Sequence, residues 1–241
     1  MRSRPDIRLA VHWAATAAVA ALAVGTIMTR VEAPDDRPAP EPACSGPPVA
    51  LTFDDGPSRD HAVRLADILA RNDVRATFFM TGQSVAARPG RASRFARDGH
   101  RIYNHTYDHL DLTAVSDAEI HRQVAMTRRA LRAAGIRDGR VVRPPYGRIN
   151  RRVRGVLRDM GYRSARWTVD TNDWDRSRTA DDIHRAVVAG LEPRANILLH
   201  DKEDSDATVA AVPRIIRTVR RRGYCFGVVD RRGRVVRDRR S

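Results

Sequence analysis

The sequence predicts an α/β fold in which parallel strands curl into a barrel, closed or nearly so. Three observations carry this reading. From Val49 onward, short β-branched and aromatic runs alternate with amphipathic stretches, the signature of repeated strand–helix units. About seven strands can be counted, so a regular eightfold barrel is not the match. Titratable residues gather just after the strands, where barrels of this kind place their chemistry.

Residues 49–53 are apolar, β-branched and aromatic, and Asp54, Asp55, Gly56 and Pro57 end them as a buried strand. Residues 60–72 carry Val63, Leu65, Ala66, Ile68 and Leu69 at helical spacing. Residues 75–81 form a strand centred on Phe78, Phe79 and Met80. Residues 84–98 read as a helix interrupted near Pro89 and Gly90. A short strand at 101–104 precedes an amphipathic helix at 117–134, which Ser116 and Glu119 cap as a box. Val141 and Val142 begin a strand, and 151–160 form a helix. Residues 164–169 read as one strand, 180–189 as a helix and 196–199 as a strand. A helix at 213–222 with Pro213 in its first turn and a strand at 225–229 complete the pattern.

Composition sets the class of partner. An apolar fraction of 42% and a charged fraction of 30% suit a globular protein. The formal net charge is +15, carried almost wholly by arginine, with Lys202 the only lysine. Such a balance attracts polyanions: nucleic acid, anionic envelope polymers or lipid headgroups. The N-terminus narrows these. Arg2, Arg4 and Arg8 precede an apolar run over 9–28, and twenty helical residues span roughly 30 Å, one hydrocarbon core. Arg30, Glu32, Asp35 and Asp36 follow the run. The cationic flank stays cytoplasmic, so the rest of the chain is expected outside the cytoplasm. An uncleaved anchor is favoured over a signal peptide, because the run is long and Pro34 spoils the cleavage site after Ala33. Nucleic acid is then not an expected partner. The expected organisation is an anchor or signal peptide over 1–30, a Pro- and Ala-rich linker over 31–48, one domain over 49–230 and a basic tail over 231–241.

The candidate chemistry begins with Asp54 and Asp55. Two adjacent carboxylates repel unless a cation separates their roles, and a metal ion leaves one as ligand and one as base. After the 101–104 strand come His105 and His109. Four residues apart, they are expected to share one face of a helical turn and to bind one ion. With Asp55 they make three ligands and an open position. That is the pattern of catalytic zinc, and also of two-His-one-carboxylate iron enzymes. Arg143, Pro144, Pro145, Tyr146 and Gly147 form a stiff turn that aims a backbone N–H, with Arg143 expected to hold a carboxylate bidentately. Trp174 walls a sugar-sized pocket, and Asp173 is available to raise the pKa of His200.

Five stretches in order then resemble the polysaccharide deacetylases, the NodB-homology domains of carbohydrate esterase family 4. They are Thr52-Phe-Asp-Asp-Gly-Pro57, His105-Thr-Tyr-Asp-His109, Arg143-Pro-Pro-Tyr-Gly147, Asp170-Thr-Asn-Asp-Trp174 and Leu198-Leu-His200. Each is modest alone, and together they are specific. The resemblance covers 49 to 229 and implies a distorted (β/α)7 barrel that hydrolyses N-acetyl groups from a glycan. It implies Asp55, His105 and His109 as ligands of a divalent ion, zinc first, with cobalt or manganese as alternatives. Asp54 is then the general base, Arg143 its orienting partner, and the Tyr146 N–H an oxyanion donor. His200 is the acid, Asp173 its tuning partner, and Leu198 lines the acetyl pocket. Tyr146, Trp174 and Leu198 together bind substrate. An iron oxygenase has no use for Asp54, Arg143 or His200, so the resemblance displaces that reading.

An envelope location favours peptidoglycan N-acetylglucosamine as substrate, then chitin-type oligosaccharide, then acetylated xylan. A silent glycan-binding module is the alternative of another class, and intact Asp54 and His200 argue against it. Anionic cell-wall polymers are expected on the arginine-rich surface, and the membrane at the N-terminal segment. Finally, Cys44 and Cys225 are expected to form a disulfide, because the first and last strands of a closed barrel are neighbours.

Overall fold

The structure, a computed structural model, describes residues 44–238. The expected anchor or signal peptide, and the linker up to residue 43, lie outside the described residues. Among those described, no helix is long and apolar enough to cross a membrane.

The sheet is built around β1 (Pro48–Asp55). Around it lie β2 (Thr77–Met80), β3 (Arg101–Asn104), β4 (Val141–Val142), β5 (Arg163–Ser164), β6 (Val169–Asp170) and β7 (Asn196–His200). These strands form one parallel ladder in the order β5-β4-β3-β2-β1-β7-β6. β8 (Cys225–Val229) pairs with β1 at Pro48 and Val49, and β9 (Val235–Arg237) returns antiparallel to β8. Among the described residues, seven α-helices connect and cover the strands: α1 (His61–Arg71), α2 (Gly82–Ala87), α3 (Pro89–Arg97), α4 (Asp117–Ala133), α5 (Arg151–Asp159), α6 (Ala180–Gly190) and α7 (Asp206–Arg221).

The period-2 alternation of a strand sorts β1 into two faces. Val49, Leu51 and Phe53 pack outward with Leu65 and Leu69 of α1, Phe95 of α3, Val187 of α6 and Val212 and Ile216 of α7. Phe53 stacks on Phe78 with ring centroids 5.1 Å apart. Ala50 points into the curl, where Phe79, Tyr103, Val141, Ala165, Val229 and Val235 make a smaller core. Thr52 and Asp54 follow Ala50 on that inner face, which delivers the Asp54 carboxylate to the mouth of the curl.

Four expectations are corrected. The single strand over 164–169 is broken in two. Ala165 N donates to Val142 O at 2.9 Å, while Thr168 N donates to Asn196 O at 2.9 Å. The chain leaves the β4 edge and arrives at the β7 edge within these residues, and no one register serves both. The curl is therefore bridged covalently at this point, and its ladder ends at β5 and β6. The last helix starts at Asp206, with Pro213 in its interior. An interior proline costs about 3 kcal/mol. Burial of Val209, Val212, Ile215, Ile216 and Val219, at roughly 1.5–3 kcal/mol each, outweighs it. The segment after 230 is not a bare tail, since Val235–Arg237 extends the sheet and Val235 joins the inner core. Ser116 Oγ does accept from Glu119 N at 3.2 Å, but the Glu119 carboxylate turns to Arg122 and Gln123. The reciprocal box forms instead between Thr179 and Asp182.

A disulfide joins Cys44 to Cys225, with Cα atoms 5.7 Å apart. It lies at the foot of β1, where Cys225 is in register with Pro48. Arg237 of β9 clamps the same segment, donating to the carbonyls of Ser45 at 3.1 Å and Gly46 at 2.7 Å.

Candidate active site

The C-terminal ends of β1, β3, β4, β6 and β7 surround a pocket of about 390 Å³. Asp54, His105, His109, Tyr146, Trp174, Leu198 and His200 line it, and Asp55 lies beneath. Each arrives by a different local device.

Asp54 is buried and fixed from inside the curl. Arg143, fully buried, donates through Nη1 to Asp54 Oδ1 at 2.6 Å and to Thr52 Oγ1 at 2.9 Å. Its Nη2 donates to Asn196 Oδ1 at 3.1 Å. The expected bidentate fork is not made. One nitrogen serves the carboxylate and the other Asn196, while the guanidinium carbon sits over Phe79, 3.9 Å from the ring centre. Burial lowers the Arg143 pKa, and the Asp54 charge opposes that shift.

His105 and His109 stand on an irregular loop, not on the expected helical turn. Thr106 and His109 adopt left-handed φ values of 65° and 58°. The loop is held by side chains: Gln123 Oε1 accepts from Tyr107 N and Asp108 N, and Asn104 Oδ1 accepts from Thr106 N. Both rings still converge on Asp55, each Nε2 lying 3.3 Å from Asp55 Oδ1. Asp55 has a left-handed φ of 76°, which turns its carboxylate away from the β1 alternation. Among the described residues, five of the eight non-glycine residues with positive φ line this pocket or lie within two residues of one that does: Asp55, Thr106, His109, Tyr146 and Asn172. Strain of order 1–3 kcal/mol each persists only where the surroundings enforce it, and such residues cluster at functional sites.

This donor set fits a cation. The Arg143 carbonyl lies 2.7 Å from His105 Nδ1 and can only accept, so Nδ1 carries the proton and Nε2 presents a lone pair. That lone pair faces a carboxylate oxygen, two acceptors head-on. Burial, then the neighbouring His105, lowers the His109 pKa to about 4, which keeps that imidazole neutral at pH 7. Asp55 Oδ1 is buried without a hydrogen-bond partner. The donor atoms of Asp55, His105 and His109 lie within 4.8 Å of one another. Its other oxygen receives Lys202 Nζ at 3.0 Å.

His200 ends β7. Its Nδ1 lies 2.7 Å from Asp173 Oδ1, and its backbone N donates to Asp173 Oδ2 at 2.8 Å. Thr208 of α7 donates to the same oxygen at 2.6 Å. Burial opposes the imidazolium, but the Asp173 hydrogen bond and charge overcome it and raise the His200 pKa. Leu198 is buried at the pocket floor, while Tyr146 and Trp174 are more than half exposed at its rim. Trp167, Asp170 and Lys202 also line the pocket and had no role in the sequence reading, although Asp170 opens one of the five stretches. Nor had the supports Thr52, which opens another, and Asn104, Gln123, Asn196 and Thr208. Gln123 carried a signal: an uncharged amide on the buried stripe of an amphipathic helix needs partners.

Residues 43–165 match the polysaccharide deacetylase family. Peptidoglycan-N-acetylglucosamine deacetylase PgdA of Listeria monocytogenes is 35% identical over 182 residues, covering 76% of this chain and 38% of that protein. The chain thus spans about two fifths of that relative's length. Chitooligosaccharide deacetylase of Sinorhizobium fredii is 36% identical, over 78% of this chain and 93% of that one. The family 4 carbohydrate esterase from Streptomyces lividans, solved in complex with acetate, superposes with a TM-score of 0.75 at 36% identity, covering 80% of this chain and 98% of that one. The chain belongs to the polysaccharide deacetylase family.

Proposed function

We propose that this protein hydrolyses the N-acetyl group of an N-acetylglucosamine-containing glycan, releasing acetate. The observation that carries the reading is the convergence in one pocket of a pinned carboxylate, an orphaned Asp-His-His donor set and a histidine whose pKa is raised by its own aspartate. Asp55, His105 and His109 would hold a divalent ion, zinc first because two imidazoles and a carboxylate with an open position suit it, with cobalt or manganese next. When bound, such an ion polarises a carbonyl and lowers the pKa of water toward ~7.

The chain's own residues supply the rest. Asp54 accepts the proton of the attacking water, and the Arg143 contact keeps it aimed. The Tyr146 backbone N–H donates to the developing oxyanion. Leu198 encloses the acetyl methyl group. His200 delivers a proton to the leaving amine, and Asp173 holds that proton in readiness. Tyr146 and Trp174 offer aromatic faces to the sugar rings.

Peptidoglycan is the first substrate and chitin-type oligosaccharide the second, in keeping with the names of the two relatives above; acetylated xylan is third. We place the domain outside the cytoplasm. The disulfide supports this, since such bridges persist in oxidising compartments. Anchorage through residues 9–28 and a partnership with anionic polymers belong to the same proposal.

The test is acetate release by the metal-loaded protein from peptidoglycan, chitin oligomers and acetylated xylan. Release from the first or second, abolished by chelation and restored by zinc, is expected. Glycan binding without acetate release from any of them would refute the enzymatic reading and leave a silent binding module.

A further inference from the structure

At the opposite end of the strands, the turns that enter β4 and β5 leave a hollow of about 690 Å³. Arg128 and Arg132 line it from α4, Arg137 and Arg140 from the following turn, Arg163 from β5 and Arg231 from the β8–β9 turn. Against these six guanidinium groups stands one carboxylate, Asp138. It is already engaged: the Tyr162 hydroxyl donates to Oδ2, and Arg140 N donates to Oδ1 at 3.0 Å. The Arg140 guanidinium donates to the Met160 carbonyl at 3.1 Å. Among the described residues, no carboxylate pairs with Arg128, Arg132, Arg137, Arg163 or Arg231. Arg128 Nε is buried with no partner.

Elsewhere Arg64, Arg94, Arg148, Arg152 and Arg214 each meet an aspartate, and unpaired groups such as Arg71, Arg151 and Arg217 stand exposed outside this hollow. A solvated arginine-rich surface explains scattered guanidinium groups, paired or not. It does not explain unpaired ones converging on a concavity, where Arg128 and Arg132 repel at i,i+4. We infer that this hollow binds a soluble polyanion built of successive phosphodiesters, such as a polyol-phosphate chain. The guanidinium fork matches phosphate oxygens bidentately, and several forks in one recess suit successive phosphates better than a single ion. A bilayer is a poorer fit: among the described residues the exposed large hydrophobic ones are Val63, Tyr146 and Trp174, and none lines the hollow. A nucleic acid is also poorer, because no aromatic residue among those described lines the hollow, and Tyr162 beneath Arg140 is buried and offers no stacking face. The site gives a location to the anionic polymer partner put forward above and rests on that part of the reading alone.

The test titrates the full chain with inorganic tripolyphosphate and with poly(glycerol phosphate) by calorimetry, between about 50 and 200 mM salt, where phosphate contacts announce themselves as a steep salt slope. Arg132→Gln/Arg137→Gln/Arg163→Gln should weaken both by roughly tenfold or more and flatten that slope. The equal-charge control Arg71→Gln/Arg151→Gln/Arg217→Gln should stay within about threefold. Lysine at the three hollow positions should recover part of the affinity, as charge returns without the fork. Acetate release should be unchanged throughout, which separates this result from the fate of the deacetylase reading. Equal losses in hollow and control variants would overturn the site, as would no binding of either probe at the lower salt. Loss of binding to phosphatidylglycerol vesicles in the hollow variant, without polymer binding by the parent, would assign the surface to a bilayer instead. Tighter binding of single-stranded nucleic acid than of the polymer would assign it to that class.

Discussion

The two ends of the same strands handle charge in opposite ways. At the C-terminal end, nearly every charged group has a partner of opposite sign at hydrogen-bond distance. Asp54 has Arg143, His200 has Asp173, and even the second oxygen of Asp55 has Lys202. At the N-terminal end, guanidinium groups meet with one carboxylate among them. Paired charges are fixed in place, which is what directed proton transfer requires. Unpaired charges in an open hollow remain available to a ligand. Among the described residues, the buried side-chain atoms Asp55 Oδ1, Thr106 Oγ1 and Arg143 Nε at the paired end lack a partner, and the carboxylate oxygen among them is the atom the proposed metal would use.

The largest expected effect breaks the comparison inside the paired end. Asp54→Asn should keep the metal and lose turnover by roughly 10²–10⁴-fold, the range for removing a general base. Asp55→Asn should lose the metal itself. Elemental analysis beside the rate of acetate release distinguishes them. Equal metal content with equal residual rates would show that the two carboxylates have no division of labour.

Next in size is the Arg143–Asp54 pair. Cutting back one partner of a buried pair strands the other, at a cost of about 3–5 kcal/mol. Arg143→Met should therefore lower stability in denaturant titration by that order. Adding Asp54→Asn should recover part of it, because the stranded carboxylate is then gone. A double variant no more stable than the single one would mean that the stranded Asp54 carboxylate is not what makes the loss of Arg143 costly.

These residues were legible because their chemistry is local: two aspartates after an apolar run, two histidines close in sequence, an arginine before two prolines. What escaped depends on contacts across the chain. The His105–His109 spacing suggests a helical turn, and nothing local shows that Asn104 and Gln123 hold a left-handed loop there instead. The β5–β6 break is invisible in an apolar pattern, since both halves have strand composition and only the arrival at a second edge divides them. Pro213 reads as a helix start until α1 and α6 are known to bury the turns before it. The disulfide was foreseen from barrel closure, whereas β8 in fact meets β1 at its foot, beside the point where β2 takes over.

The disulfide gives the next prediction, at the unpaired end. It links residues 181 apart in sequence, and a bridge over so long a loop typically contributes roughly 2–4 kcal/mol. Cys44→Ser/Cys225→Ser should lose stability of that order while keeping acetate release at moderate temperature, because the bridge lies at the far end of β1 from Asp54. A fall in turnover without a fall in stability would mean that the foot of β1 communicates with the pocket.

The smallest expected effect concerns His200 and Asp173. The raised His200 pKa means that the proposed acid is lost as pH rises through it, so the alkaline limb of the rate profile reports this group. Asp173→Asn removes the carboxylate and leaves the burial, which favours neutral imidazole. The limb should move to lower pH, with the acidic limb unchanged. Stability gives an independent reading of the same pair. The raised His200 pKa contributes stability that is fully present below the unfolded value near 6.5 and is lost as pH rises through the folded value. The lowered Asp173 pKa contributes stability present above its unfolded value near 3.9 and lost as pH falls through the folded value. The difference between parent and Asp173→Asn should therefore be greatest between about pH 4 and 6.5 and shrink on both sides. Asp201, which burial raises to about 6, titrates in that same window but is present in both proteins and largely cancels from their difference. A stability difference flat across the window, or an unmoved alkaline limb, would show that the two side chains share a hydrogen bond without sharing a charge.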